Sequence, residues 1–322
     1  MDEGAAAPAR PALTGVGVPP AAVAAALDAL APAVPGLVLD DWAPSVQGAV
    51  GHVVGVRDGR GRAFVLKLYA ADATDRAATE IAALGRLAGR SQVPVPVPLA
   101  LGRVGAADHL LMSRLPGVRW ADRRDASTVA TSAAVWRSAG EALRHVHAVR
   151  GERYGGLVGG AGWPDAWSAV RERARATLAE HVRLGGDPAL ARDVDAFVVA
   201  HRDALAACPG PVLCHRDVTG GNLLVDADDR PSGLVDWERA GWDDPLVDLA
   251  QTVRHVRGHR HDDVDALLDG YGDAGPRAAE RLAVHEVLHA VRERAWVVHD
   301  RPAGWRRSAA GLDAFVARVV RG

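Results

Sequence analysis

His215-Arg216-Asp217-Val218-Thr219-Gly220-Gly221-Asn222, then a short apolar run, a polar turn, a second apolar run and Asp236, sets two carboxylates and an amide at spacings that suit phosphoryl transfer. Leu223-Leu224-Val225 and Gly233-Leu234-Val235 read as strands, and Asp226 to Ser232 between them has the Asp and Pro content of a turn. The open ends of such a hairpin lie one strand spacing apart, so Asn222 and Asp236 are expected side by side. An amide oxygen and a carboxylate held together suit Mg²⁺, a hard ion that completes its shell with phosphate and water oxygens. Asp217, on the loop leading into the hairpin, is placed to reach a substrate hydroxyl beside that metal.

The order H-R-D-x-x-x-x-N followed by a metal Asp is that of kinase catalytic loops. A second feature points the same way. Among 38 Lys plus Arg residues, Lys67 is the one lysine, and it sits in Arg62-Ala-Phe-Val-Leu-Lys-Leu-Tyr69, a strand by its β-branched and aromatic content. Where a strong arginine bias has left a lysine, a requirement for a compact point charge is the reading. Asp58-Gly59-Arg60-Gly61 reads as a hairpin turn after a strand over Ala49 to Arg57. Glu80 lies in a helical stretch from Thr74 to Ala88 and shares a face with Leu84 and Leu87. A carboxylate on the apolar side of a helix needs a cationic partner, and Lys67 is the candidate.

The elements around these residues imply an α+β chain. Residues 1–12 are Ala/Pro-rich and read as a loose tail, and Pro20 to Leu30 as a short helix. Strands and the Glu80 helix follow, then an extended Val/Pro path from Gln92 to Pro98 and a strand from His109 to Leu115 broken by Pro116-Gly117. The boundary between lobes is expected there, giving a nucleotide-binding lobe over residues 13–115 and a helical lobe over 116–322. Trp136, Ala139, Leu143 and Val146 form a helical stripe, and Ala166 to Leu184 a further helix. Gly48-Ala-Val-Gly51 reads as a reduced phosphate-covering loop or as a turn.

Composition is that of a globular protein, with 48% hydrophobic and 24% charged residues over 322 positions. A formal charge of −2 supplies no global field for a nucleic acid polymer or an anionic membrane. No apolar run approaches a membrane span and the first residues carry no basic secretory region, so a cytoplasmic location is expected. Cys208 and Cys214 flank a Pro-Gly-Pro turn and form no metal or redox pattern, so free thiols are expected.

One string argues for other chemistry. His285-Glu-Val-Leu-His289 matches H-E-x-x-H, which on a helix puts two imidazoles on one face for zinc. Zinc catalysis needs a third ligand, and only Glu293 and Asp313 are on offer downstream. Val284, Val287, Leu288 and Val291 also form a packing stripe, so the helix is read as structural. His255, His259 and His261 are read as a solvated, mildly basic surface.

Val212-Leu-Cys-His-Arg-Asp-Val-Thr-Gly-Gly-Asn-Leu-Leu-Val225 and Gly233-Leu-Val-Asp-Trp-Glu-Arg-Ala-Gly-Trp-Asp-Asp-Pro-Leu-Val-Asp-Leu-Ala250 resemble the aminoglycoside phosphotransferase-like small-molecule kinases. With Lys67, Glu80 and the helix end at Leu143 to Ala148, the resemblance covers nearly the whole chain. It implies a protein-kinase-like two-lobe fold, with a β-rich N-lobe and a mainly helical C-lobe carrying the acceptor site. By position it implies Asp217 as the catalytic aspartate, Asn222 and Asp236 as magnesium ligands, Lys67 as the phosphate lysine and Glu80 as its partner. Ser113 and Leu115 match the hinge whose backbone holds the base of ATP or GTP. Asp244 and Asp248 are expected to cap and anchor the helix beginning near Pro245. The family more often has Gly at the position of Arg216 and His at that of Thr219, departures that bear on how the loop holds its substrate.

The expected reaction is transfer of the γ-phosphoryl group from Mg·ATP to a hydroxyl of a small molecule, with an antibiotic as the leading acceptor class. An amino alcohol, sugar or glycated amine is the metabolic alternative. A protein acceptor is disfavoured because no activation segment ends in A-P-E after Asp236. A nucleotide-binding module without turnover is disfavoured by the complete set of Lys67, Asp217, Asn222 and Asp236. Glu238 and Asp243 are candidate carboxylates for a cationic acceptor, and Trp163 and Trp167, four apart, a candidate aromatic wall. A monomer or homodimer is expected.

Overall fold

The computed structural model of the chain describes residues 20–47, 51–70, 73–90, 92–260 and 262–322. The chain forms two compact units, one running to Gly117 and taking Ser232–Arg239, the other comprising Val118–Pro231 and Ala240–Gly322. The expected tail over 1–12, Gly48 and His261 lie outside the described residues. No helix among the described residues is long and apolar enough to cross a membrane. Both cysteines are unpaired.

The first unit runs α1 (Pro20–Leu30), β1 (Val38–Leu39), β2 (Gly51–Arg57), β3 (Ala63–Tyr69), α2 (Thr74–Leu87), β4 (Pro98–Val104) and β5 (Ala107–Ser113). Its strands form one antiparallel sheet in the order β1-β2-β3-β5-β4, with Lys67 opposite Val53 on one side and Leu110 on the other. The two-residue period of β3 divides its side chains between two cores. Phe64, Leu66 and Leu68 pack with Val23, Ala26 and Leu30 of α1. Val65 and Tyr69 pack with Ala77 and Ile81 of α2. Lys67 follows the second parity and therefore points toward α2.

The second unit continues with β6 (Val118–Arg119), α3 (Trp120–Arg123), α4 (Val129–Val146), β7 (Gly155–Gly156), α5 (Ala166–Arg183), α6 (Pro188–Ala200), α7 (Arg202–Ala206), β8 (Val212–Cys214) and β9 (Leu223–Val225). After β10 (Pro231–Leu234), where the chain changes unit, come β11 (Gly241–Asp243), α8 (Leu246–Arg257), α9 (Asp263–Tyr271), α10 (Ala278–Asp300) and α11 (Trp305–Arg321). Side-chain caps fix three starts: Thr128 accepts from the Thr131 amide, Asp165 from Ser168 and Asp187 from Ala189, the last with Pro188 at the first helical position. Helices α4 and α9 cross closely, since a Cβ at Gly140 would run into the Leu267 carbonyl and one at Gly270 into the Arg137 carbonyl. Trp120, Val135, Trp136, Leu223, Val225, Val253 and Leu267 make the core that supports β9 and α8. A second core joins α5, α6, α10 and α11 through Val170, Leu178, Val194, Val287, Val291 and Val316.

Candidate active site

In the first unit Lys67 is buried, with Nζ 2.7 Å from Glu80 Oε2, 2.6 Å from Asp236 Oδ1 and 3.0 Å from Glu238 Oε2. Burial opposes its charge, but Asp236 and Glu80 outweigh that and hold the ammonium well above its ordinary range. Glu80 also accepts from the Tyr69 hydroxyl and, at 3.1 Å, from the Trp237 amide, so a residue of α2 ties β3 to the segment after β10. That segment is fixed further by the Leu234 amide donating to the Pro94 carbonyl and the Ser232 hydroxyl to that of Pro116.

Glu80, Asp236 and Glu238 bring carboxylate oxygens within 4.8 Å of one another, and Lys67 and Arg76 are the cations bonded to them. Carboxylate oxygens are the donor type a hard divalent cation takes, and of these three Asp236 is the least buried. Asp236 has φ of +70°, a left-handed conformation that costs a non-glycine residue about 1 kcal/mol or more and persists only where the surroundings fix it.

Glu238 therefore belongs to the lysine cluster, its carboxylate bonded to Lys67 and to Arg76 at 2.8 Å. It is not an exposed carboxylate waiting for a cationic acceptor. Gly51, expected in a phosphate-covering loop, opens β2 opposite Tyr69, and a Cβ there would run into the Leu68 carbonyl. Its small size is required by strand contact. Ser113 ends β5, and its backbone amide donates to the Val97 carbonyl while its hydroxyl accepts from the Val97 amide, each within 2.9 Å. Leu115 is half-buried, its side chain lying against Gly233.

In the second unit the loop from His215 to Asn222 lies on one polar stripe of α8. Asp248, fully buried, accepts from the His215 amide at 2.7 Å and the Arg216 amide at 2.6 Å. Gln251 Nε2 donates to Asp217 Oδ1 at 2.8 Å, Thr252 donates to the Val218 carbonyl at 3.2 Å, and His255 Nε2 accepts from the Gly220 amide at 3.1 Å. Helical spacing puts positions 248, 251, 252 and 255 on one face. Behind Asp248, His147 reaches it with Nε2 at 3.1 Å and meets the Tyr271 hydroxyl with Nδ1 at 2.9 Å. Burial opposes the Asp248 charge, yet His147 and the loop amides hold its carboxyl below the ordinary range. At the far end of the loop, Asn222 Nδ2 donates to the Asp217 carbonyl at 2.8 Å. That bond assigns the amide and leaves its oxygen as the end a hard cation would take.

Arg216 has φ of +63°, which accounts for glycine being the easier residue there. Its guanidinium donates to the Gly155 and Trp242 carbonyls and, at 2.9 Å, to Asp243. Asp243 is buried and also paired with Arg173. The two guanidinium groups overcome burial and hold its carboxyl well below the ordinary carboxylate range. Asp243 is thus spent inside the fold, which corrects the expectation that it recruits a cationic acceptor. Asp244 caps α8 through the Leu246 amide at 2.9 Å and is bonded by Arg281 at 2.8 Å.

Trp163 and Trp167 do not share a helix face. Trp163 precedes the Asp165 cap, bridges Tyr154 and is exposed, whereas Trp167 packs on the α5/α10 core beneath Arg202. His255 is not a solvated surface residue either: burial pushes it down to about 4, and it stacks edge-on with Trp136. His285 is buried 3.4 Å from Asp244, and the other candidate zinc ligands are taken, Glu293 by Arg254 and Asp313 by Arg294. Among the described residues, neither group with metal-ligating geometry includes this helix. Gln251 and His255 were missed as site residues, although a polar residue every three or four positions along α8 was visible.

The model of the phosphotransferase enzyme family, APH, matches residues 41–283, three quarters of the sequence. The chain belongs to this family. It is a small-molecule phosphotransferase, and the matched residues hold the Lys67 cluster and the α8-bound loop. Solved structures agree in fold. A thermostable mutant of aminoglycoside phosphotransferase APH(4)-Ia, in ternary complex with ADP and hygromycin B, superposes with a TM-score of 0.67 at 17% identity, covering 92% of this chain and 97% of that one. Macrolide 2′-phosphotransferase MphH from Brachybacterium faecium, as apoenzyme, gives 0.58 at 24% identity over 89% and 97%. A GDP complex of aminoglycoside 2′-phosphotransferase-IIIa gives 0.60 at 12% identity over 90% and 93%. No curated protein sequence matches the chain. The α+β, kinase-like fold implied by the sequence is the fold of this phosphotransferase.

Proposed function

We propose that this phosphotransferase moves the γ-phosphoryl group of ATP to a hydroxyl of an antibiotic-type small molecule of low positive charge, conferring resistance by modification. The observation that carries the reading is the loop geometry: Asp217 is held at its carboxylate by Gln251 and at its carbonyl by Asn222. In this reading Asp217 orients the acceptor hydroxyl and takes its proton late in transfer. Lys67, positioned by Glu80, binds the α and β phosphates, and the segment from Ser113 to Leu115 presents backbone groups other than the Ser113 amide to the base. Asn222 and Asp236 are the ligands for Mg²⁺, which when bound neutralises charge on the phosphate oxygens. Catalysis of this kind is positioning and electrostatic stabilisation rather than covalent chemistry.

Low acceptor charge follows from where the carboxylates are spent. Asp243 is bonded to two arginines and Glu238 to Lys67 and Arg76, so neither offers an unpaired charge to a polycation. The macrolide and aminoglycoside acceptors named for the similar structures make hydroxylated antibiotics the first panel to test. ATP and GTP consumption over macrolides, aminoglycosides, amino alcohols and sugars tests the assignment. Turnover of a macrolide with kcat/KM nearly flat between 50 and 300 mM salt is expected, on the order of a few-fold change at most. A steep loss with salt on a polycationic acceptor contradicts the low-charge reading. Turnover of an amino alcohol or sugar alone removes the resistance role and leaves phosphoryl transfer standing.

A further inference from the structure

We propose that Gln251 is a positioning residue for the transfer step, setting the orientation of the Asp217 carboxylate; the proposal rests on Asp217 being the group that receives the acceptor hydroxyl. The polar stripe of α8 divides by what it holds. Asp248, Thr252 and His255 bond to loop backbone and would shape that loop whatever its chemistry. Gln251 instead reaches the side chain, with Nε2 2.8 Å from Asp217 Oδ1.

Gln251 is only 6% exposed, on a helix tied to the loop both before and after it, so its amide is a fixed donor. Its orientation is dictated, since only the NH₂ end can face a carboxylate. The other end is left without a hydrogen-bond partner: Oε1 is buried and unbonded. A buried orphan acceptor opposes folding, and a methionine would fill the same volume without it. The residue is therefore poorly explained by packing and well explained by the bond to Asp217. A catalytic side chain on a loop needs such a neighbour, because small errors in the placement of a reacting group cost large factors in rate.

The test uses Gln251→Met, which keeps volume and removes the donor, and Gln251→Glu, which keeps shape and puts an acceptor against an acceptor. Each is expected to lower kcat by about 10-fold to 100-fold, with KM for nucleotide and acceptor within about twofold of the parent. A purely structural role would move KM and thermal stability along with kcat. The second arm combines Gln251→Met with Asp217→Asn. A residue that acts through Asp217 has nothing left to position, so the double variant keeps the residual rate of Asp217→Asn. Unchanged kcat in both single variants, or a further loss in the double variant equal to that of Gln251→Met alone, overturns the proposal. If Asp217→Asn itself turns over normally, the failure is that of the Asp217 assignment; if it is inactive while the Gln251 variants are normal, only the positioning role fails.

Discussion

Lys67 Nζ lies 2.6 Å from Asp236 Oδ1, so the ammonium on β3 and the carboxylate after β10 are held as one charged pair within the first unit. Glu80 approaches the same ammonium from α2 at 2.7 Å. Lys67 is thus a shared counterion of Glu80, Asp236 and Glu238, and its removal takes the ammonium from the fully buried Glu80 carboxylate. Lys67→Met is expected to lower stability by about 3 kcal/mol as well as to abolish efficient turnover. Chemical denaturation and the nucleotide dependence of the rate check both. Loss of activity with unchanged stability would show that the lysine cluster does not hold the unit together. Lys67→Arg should not rescue turnover, because a planar fork cannot occupy a site built around a point charge.

Acid should loosen the fold before the carboxylates titrate. Burial depresses His52, His181 and His255, the last to about 4. Above pH of about 6.5 these imidazoles are neutral in both folded and unfolded chains and contribute no pH dependence. Below it the unfolded chain takes up protons that the folded chain resists, so stability falls with pH until the folded-state values are reached. Denaturation midpoints should drop between pH 7 and 5, and His255→Gln, which does not titrate, should make that drop shallower. Parallel profiles for parent and variant would show that His255 is not held neutral by the fold.

The helix carrying His285-Glu-Val-Leu-His289 is expected to bind less than stoichiometric zinc. His285→Ala should leave phosphoryl transfer near the parent rate, while removing a buried neighbour of Asp244 costs about 1–3 kcal/mol of stability. Stoichiometric metal with chelator-sensitive hydrolysis of peptides would reverse this.

The parts of the site that follow from local periodicity were readable before any coordinates. Glu80 sits on the apolar side of its helix with Leu84, so burial demanded a cation, and the period of β3 aims Lys67 at α2. Charges whose partners come from far along the chain were not readable. Nothing near Asp243 announces that Arg173, seventy positions earlier on α5, neutralises it. The Trp163 placement was recoverable, because Asp165 caps the helix and leaves Trp163 outside it. So was the α8 stripe, where Asp248, Gln251, Thr252 and His255 recur at one-turn spacing on one face of the helix. The left-handed backbone at Asp236 was hidden, since aspartate does not advertise positive φ as glycine does, whereas at Arg216 the glycine more usual in the resembling family was a clue.

The most direct measurement is the single-turnover rate of Asp217→Asn at saturating nucleotide and acceptor. The substitution keeps the size and an acceptor oxygen for Gln251 but removes the carboxylate proposed to receive the hydroxyl proton. A rate lowered by about 100-fold to 10,000-fold, with nucleotide affinity within about twofold of the parent, is the predicted result. A rate within about threefold of the parent would contradict the assignment of Asp217 as the group that receives the acceptor hydroxyl.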